Sequence, residues 1–132
     1  MITIGSNKLV LIVEDNEKNL KLARDVLRFH GFRTEQAVTG EEALVATPRL
    51  MPDLVLMDIG LPGIDGVEAT RRLKDDPATA AIPIVALTAS VMAADRARFA
   101  EAGFAGFIAK PIDVLTFPEE VRAYCGPGGR EP

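Results

Sequence analysis

Tryptophan is absent from this chain of 132 residues, tyrosine occurs once, and aromatic residues make up only 5%. A core built here must come from Val, Leu, Ile and Ala. Cysteine also occurs once, at Cys125, so no internal disulfide can form; that fits a reducing, cytoplasmic setting and a reading of Cys125 as a small apolar residue. No apolar stretch approaches the roughly 20 residues that a membrane span requires. Residues 1–7 lack both the basic start and the apolar run of a signal peptide. No basic run or aromatic-basic interleaving is present either, and the formal net charge is −4, which argues against a nucleic-acid surface. Repeats and an internal linker are missing too, so the length corresponds to one domain, expected over residues 8–125 after a short extension at 1–7.

What is present is an alternation. Short apolar runs occur at residues 9–13, 33–38, 54–57, 84–87 and 106–109, with helical patterning between them. Four of the runs are almost wholly apolar, as in strands covered on both faces; 33–38 alternates and suits an edge. Asn16 can cap a helix whose Leu20, Ala23 and Leu27 share one face and which Gly31 stops. Thr39-Gly40-Glu41-Glu42 reads as a capping box, and Asp65 or Gly66 opens a third helix. A fourth runs from about Met92 to Ala102, ending at Gly103. Pro48 is expected to end or kink the second helix early, because it has no N–H and crowds the preceding turn. Near Asp113 a last helix begins, its regular part confined by Pro118 to about 118–124; the turn-rich tail 126–132 is expected to be disordered. Strands alternating with helices predict a doubly wound α/β domain around a parallel sheet.

In such sheets, ligands bind beyond the carboxyl ends of the strands. The first run leads into Glu14 and Asp15, the third into Asp58, the fourth into Thr88 and the fifth into Lys110-Pro111. Three clustered carboxylates repel one another, so the pKa of at least one should rise. Lys110 cancels one charge, and a divalent cation such as Mg²⁺, which takes oxygen ligands, would cancel two more. The set suits phosphoryl transfer by positioning and charge neutralisation: Asp58 attacks phosphorus, while the metal, Lys110 and Thr88 each hold one phosphoryl oxygen.

The motifs Val10-Leu11-Ile12-Val13-Glu14-Asp15-Asn16, Asp53-Leu54-Val55-Leu56-Met57-Asp58, Leu61-Pro62-Gly63-Ile64-Asp65-Gly66, Pro83-Ile84-Val85-Ala86-Leu87-Thr88-Ala89 and Phe107-Ile108-Ala109-Lys110-Pro111 stand in order along the chain. Together they resemble the response-regulator receiver domain of bacterial two-component signalling, from about Lys8 to Tyr124. The resemblance implies a flavodoxin-like (βα)5 fold with strand order 2-1-3-4-5. It also implies that Asp58 is the phosphoacceptor, that Asp15, Asp58 and the backbone carbonyl of Gly60 hold Mg²⁺, and that Glu14 acts on the metal through water. Thr88 becomes the switch hydroxyl, Lys110 the phosphoryl-binding lysine, and the Lys110-Pro111 bond cis. Phe107 matches an aromatic that turns inward as Thr88 moves, although phenylalanine on an apolar strand is by default core.

A stand-alone receiver, monomeric or weakly dimeric, would take its phosphoryl group from a histidine kinase or histidine phosphotransfer protein and signal to a downstream protein. A pseudo-receiver that binds partners without phosphorylation is the alternative. An aspartyl phosphatase would need a second acid where Gly60 stands, and a flavin-binding loop would not carry Glu14-Asp15-Asn16-Glu17. His30 is expected to act only as a favourable group at a helix C-terminus. Gly60 and Ser90, at the rim of the site, are expected to set the lifetime of the phosphorylated state. Pro118 falls on the last helix, part of the surface where receivers often meet partners.

Overall fold

The computed structural model describes residues 7–89 and 92–125. Ser90 and the tail at 126–132 lie outside the described residues, as does the extension apart from Asn7. Five strands alternate with five helices: β1 (Leu9–Val13), α1 (Glu17–Phe29), β2 (Arg33–Ala37), α2 (Gly40–Leu50), β3 (Leu54–Asp58), α3 (Gly66–Asp75), β4 (Ile84–Thr88), α4 (Ala93–Ala102), β5 (Gly106–Ala109) and α5 (Phe117–Cys125). All pairings are parallel, in the order β2-β1-β3-β4-β5. This is the doubly wound order expected, with the alternating run 33–38 supplying an edge strand, β2.

The sheet divides two cores between its faces, because successive strand side chains point to opposite sides. Val10, Ile12, Leu54, Leu56, Val85, Leu87 and Ile108 pack against Leu20, Ala23 and Leu27 of α1 and Phe117 and Val121 of α5. On the other face, Leu11, Val13, Val55, Met57, Ile84 and Ala86 meet residues of α2, α3 and α4, including Ala43, Val67, Leu73 and Phe99. The three central strands are therefore apolar almost throughout, and the first polar residues appear where the strands leave the core.

The caps follow the sequence closely. Asn16 Oδ1 accepts the Asn19 N–H at 3.0 Å, and Asp65 Oδ1 accepts that of Glu68 at 2.9 Å. Thr39 Oγ1 accepts from Glu42 N at 3.0 Å, but the return bond of the capping box goes one residue further back, from Val38 N to Glu42 Oε1 at 2.9 Å. His30 is the C-cap of α1, its ring edge-on to Phe29 with centroids 5.3 Å apart. Cys125 is half-buried against the α1/α5 core.

Pro48 does not end α2. The helix continues to Leu50 and closes on Met51, which adopts a left-handed conformation at φ 48 and donates its N–H to Thr47 O at 2.8 Å. Proline at 48 removes one ladder hydrogen bond near the end of the helix, on an exposed position, and the packed Ala43, Ala46 and Thr47 hold the rest in place. Pro118 falls as expected, in the first turn of α5, where its missing N–H would have had no intrahelical partner. The chain before it turns at 113–116, with Leu115 N–H donating to Asp113 Oδ1 at 2.9 Å.

Candidate functional site

The parallel register aligns the carboxyl ends of the strands, and four charged side chains meet there. Glu14 follows β1 directly, its N–H held by Ala37 O of β2 at 3.0 Å. The residue is only 2% exposed, and its Oε2 accepts the Asn16 N–H at 3.1 Å. Asp58 closes β3 and is 5% exposed; its Oδ1 accepts the Gly60 N–H at 3.1 Å. Lys110 follows β5, its own N–H bonded to Thr88 O at 2.8 Å, so the β4–β5 ladder runs one step past the strand and delivers the lysine to the crevice. Its Nζ lies 3.2 Å from Glu14 Oε1 and 3.2 Å from Asp58 Oδ1. The Lys110-Pro111 peptide is cis. Asp15 is exposed, and one carboxylate oxygen each from Glu14, Asp15 and Asp58 lies within 4.8 Å of the others.

The electrostatics follow from this crowding. Burial pushes the Glu14 carboxyl above its ordinary value; the Asn16 N–H opposes that shift, and the Asp58 charge adds to it. Burial also pulls the Lys110 ammonium down, but the adjoining Asp58 and Glu14 carboxylates outweigh it and hold the net shift above the usual lysine value. One cation thus serves two buried anions, with a third carboxylate alongside. An all-oxygen donor set with excess negative charge fits a hard divalent ion such as Mg²⁺ better than it fits a soft metal.

Thr88 ends β4 and is buried at 6% exposure, with its backbone carbonyl engaged by Lys110. Gly60 is exposed, and a Cβ added there would meet nothing within 4 Å. Phe107 is half-buried on β5 opposite Ala86, packed at the margin of the α2/α3/α4 core. The guanidinium carbon of Arg96, on α4, lies 5.4 Å from its ring centroid, within cation–π range. The structure therefore gathers Glu14, Asp15, Asp58 and Lys110 into one cluster, puts Thr88 at the adjoining strand end, and leaves Phe107 lower on β5 beneath α4.

Sequence reasoning missed the backbone donors on these carboxylates, Asn16 N and Gly60 N, because an amide's direction is set by the loop it sits in. Each is two residues beyond its acceptor, the offset of an Asx-type turn, and that spacing was the available signal. Arg96 carried no local signal at all, since its partner lies on another element.

A five-stranded parallel sheet in this order, with acids and a lysine at its carboxyl edge, defines a doubly wound α/β domain with a charged crevice. The response regulator receiver domain matches residues 10–122, and the chain belongs to that family, which works in two-component signalling. Over 119 residues it is 44% identical to the polar-differentiation response regulator DivK of Brucella ovis, covering 90% of this chain and 97% of that protein. Among solved structures, the receiver domain of a Pseudomonas aeruginosa sensor histidine kinase, with magnesium coordinated in its active-site cleft, superposes with a TM-score of 0.84 at 31% identity. That match covers 92% of this chain and all of the other. The chemotaxis protein CheY4 of Vibrio cholerae shares the fold, with a TM-score of 0.84 at 22% identity over 89% of this chain and 98% of its own. No helix among the described residues is long and apolar enough to cross a membrane.

Proposed function

We propose that this chain takes a phosphoryl group onto Asp58 from a phosphohistidine of a histidine kinase or histidine phosphotransfer protein, and that it signals to a separate protein. The observation carrying this reading is the position of Asp58: nearly buried, one carboxylate oxygen held between Lys110 Nζ and Gly60 N–H, beside Glu14 and Asp15. An Asp58 oxygen attacks phosphorus as the phosphorus–nitrogen bond of the donor breaks, and the imidazole leaves with the bonding pair. Lys110 then holds one phosphoryl oxygen and Thr88 a second. Asp15, Asp58 and the Gly60 carbonyl would hold Mg²⁺, with Glu14 acting through water. When bound, the ion neutralises charge on the phosphoryl group.

Partner docking has a surface available beside the site. A groove of about 220 Å³ opens against Glu14 and Lys110 and is otherwise lined mainly by apolar side chains, among them Leu22 of α1 with Pro111 and Ile112 after β5. Its continuity with the acidic cluster suits a donor that must bring its phosphohistidine to Asp58. Phosphorylation adds charge next to Thr88, drawing its hydroxyl inward. Phe107 responds by leaving its place under Arg96, so that the α4–β5 surface is the one altered. The matched Brucella response regulator is covered over 97% of its length, so a domain of this size makes up nearly all of it, which supports the reading that a separate protein receives the signal here.

Incubation with acetyl phosphate and Mg²⁺, read by intact mass, tests the proposal. Wild type should gain one phosphoryl group and Asp58→Asn none. Equal labelling of both, or of neither even with kinase partners supplied, would overturn it.

A further inference from the structure

The connection at 59–65 carries Gly60, so its path sets one wall of the site. At its ends the path is held locally: Gly60 N–H donates to Asp58 Oδ1, and Gly66 N–H to Ile59 O at 3.3 Å. Just before α3 it is also held by a different element. Ile64 N–H donates to Glu41 Oε2, on the first turn of α2, at 3.3 Å. The two segments approach closely because each is bare where it faces the other. A Cβ on Gly40 would lie 2.7 Å from both Cγ1 and the carbonyl oxygen of Ile64. A Cβ on Gly63, which sits at φ +73, would lie 2.8 Å from Glu41 Oε2. The Ile64 side chain packs at the margin of the α2/α3/α4 core. Such an approach, glycine against carboxylate on one side and glycine against carbonyl on the other, leaves the loop little freedom to shift relative to α2.

We propose that Glu41 is a positioning residue of the phosphorylation site: its carboxylate fastens residues 63–64 to α2 and thereby holds the Gly60 carbonyl where a metal ion would meet it. The proposal rests on the reading of Asp58 as phosphoacceptor and Gly60 as a ligand. Glu41 has a second effect, which must be separated from this one. As an acid in the first turn of a helix it also interacts favourably with the helix dipole, and that effect needs the charge but not the reach.

Three variants of the full chain separate the two. Glu41→Gln keeps an acceptor oxygen at the same reach and loses the charge. Glu41→Asp keeps the charge and shortens the reach by one methylene. Glu41→Ala loses both. Mg²⁺ binding to the unphosphorylated protein is measured by calorimetry, and the Mg²⁺ dependence of acetyl-phosphate labelling by intact mass. Glu41→Asp and Glu41→Ala should weaken Mg²⁺ binding about threefold to tenfold, at or below the low end for groups that orient a ligand because the bond is long and exposed. Labelling at saturating Mg²⁺ should be unchanged, and Glu41→Gln should bind Mg²⁺ as wild type does. Thermal stability should follow charge instead, falling in Gln and Ala but not in Asp. Wild-type affinity in Glu41→Asp, or an affinity in Glu41→Gln as weak as in Glu41→Ala, would overturn the proposal. Should Glu41→Ala fail to fold, the Asp and Gln pair decides it. If wild type takes up no phosphoryl group while Mg²⁺ calorimetry still separates the variants, the proposed function fails and only the hold of Glu41 on a metal site stands.

Discussion

The ammonium of Lys110 lies 3.2 Å from Asp58 Oδ1, and both side chains are largely buried. The same ammonium lies 3.2 Å from Glu14 Oε1, so one cation holds two anions that would otherwise face each other. Lys110→Met keeps much of the stem and removes the charge. It should destabilise the metal-free protein by about 3 kcal/mol, the lower end for leaving buried charge uncompensated, because 20% of the lysine side chain is exposed. Mg²⁺ should restore part of the loss. Urea unfolding with and without Mg²⁺ measures both, and an unchanged midpoint in the absence of metal would contradict the arrangement.

Glu14 should make stability depend on pH. Its folded pKa is raised above the ordinary 4.5, chiefly by burial, so the folded state holds that proton more tightly than the unfolded chain does. The resulting contribution is complete below the ordinary carboxylate value and is lost as pH rises through the folded value. Relative to Glu14→Gln, metal-free wild type should therefore lose stability on going from pH 4.5 toward neutrality, and Mg²⁺ should reduce that loss. Parallel stability curves for the two proteins would refute this.

Gly60 faces open space, so a larger side chain there should cost the fold within about 0.5 kcal/mol. Its effect should fall on water near Asp58. Gly60→Arg is expected to change the half-life of the phosphorylated protein several-fold at unchanged thermal stability. Phosphate release followed over time settles the matter: equal half-lives would remove Gly60 as a determinant.

Gly66 makes the opposite prediction. A Cβ there would run into the carbonyl oxygen of Asp58, and would lie 3.0 Å from Met57 Cγ. Because the opposing atom is backbone, relief requires moving either β3 or the start of α3. Gly66→Ala should cost about 2 kcal/mol, in the range of overpacked cores, and should slow labelling of Asp58 by displacing it. A stable variant with normal labelling would show that the contact is soft.

These contrasts mark what the sequence could tell. Apolar runs ending in Glu14, Asp58, Thr88 and Lys110 were enough to bring these residues to one edge, because a parallel sheet brings the carboxyl ends of its strands together whatever the details of packing. Caps at Asn16, Thr39 and Asp65 were legible because they act over two or three residues. Pro48 misled because a local propensity was weighed without the packing of Ala43, Ala46 and Thr47 that holds α2 together past it. The contact of Glu41 with Ile64 spans 23 residues and joins two elements, so no local pattern announces it. Nor does composition distinguish Gly60, which is open, from Gly66, which is closed; only the neighbouring backbone does.

Tyr124 turns the scarcity of aromatics into an asset. Its ring lies over Gly106 at the start of β5, where any Cβ would collide with it. With no tryptophan and no second tyrosine in the chain, all tyrosine emission comes from that single point, beside the residue that precedes Phe107. The unlabelled native protein thus carries its own optical probe of the β5–α5 junction, and a change in that emission on adding a phosphodonor would register how far a signal from the crevice has travelled.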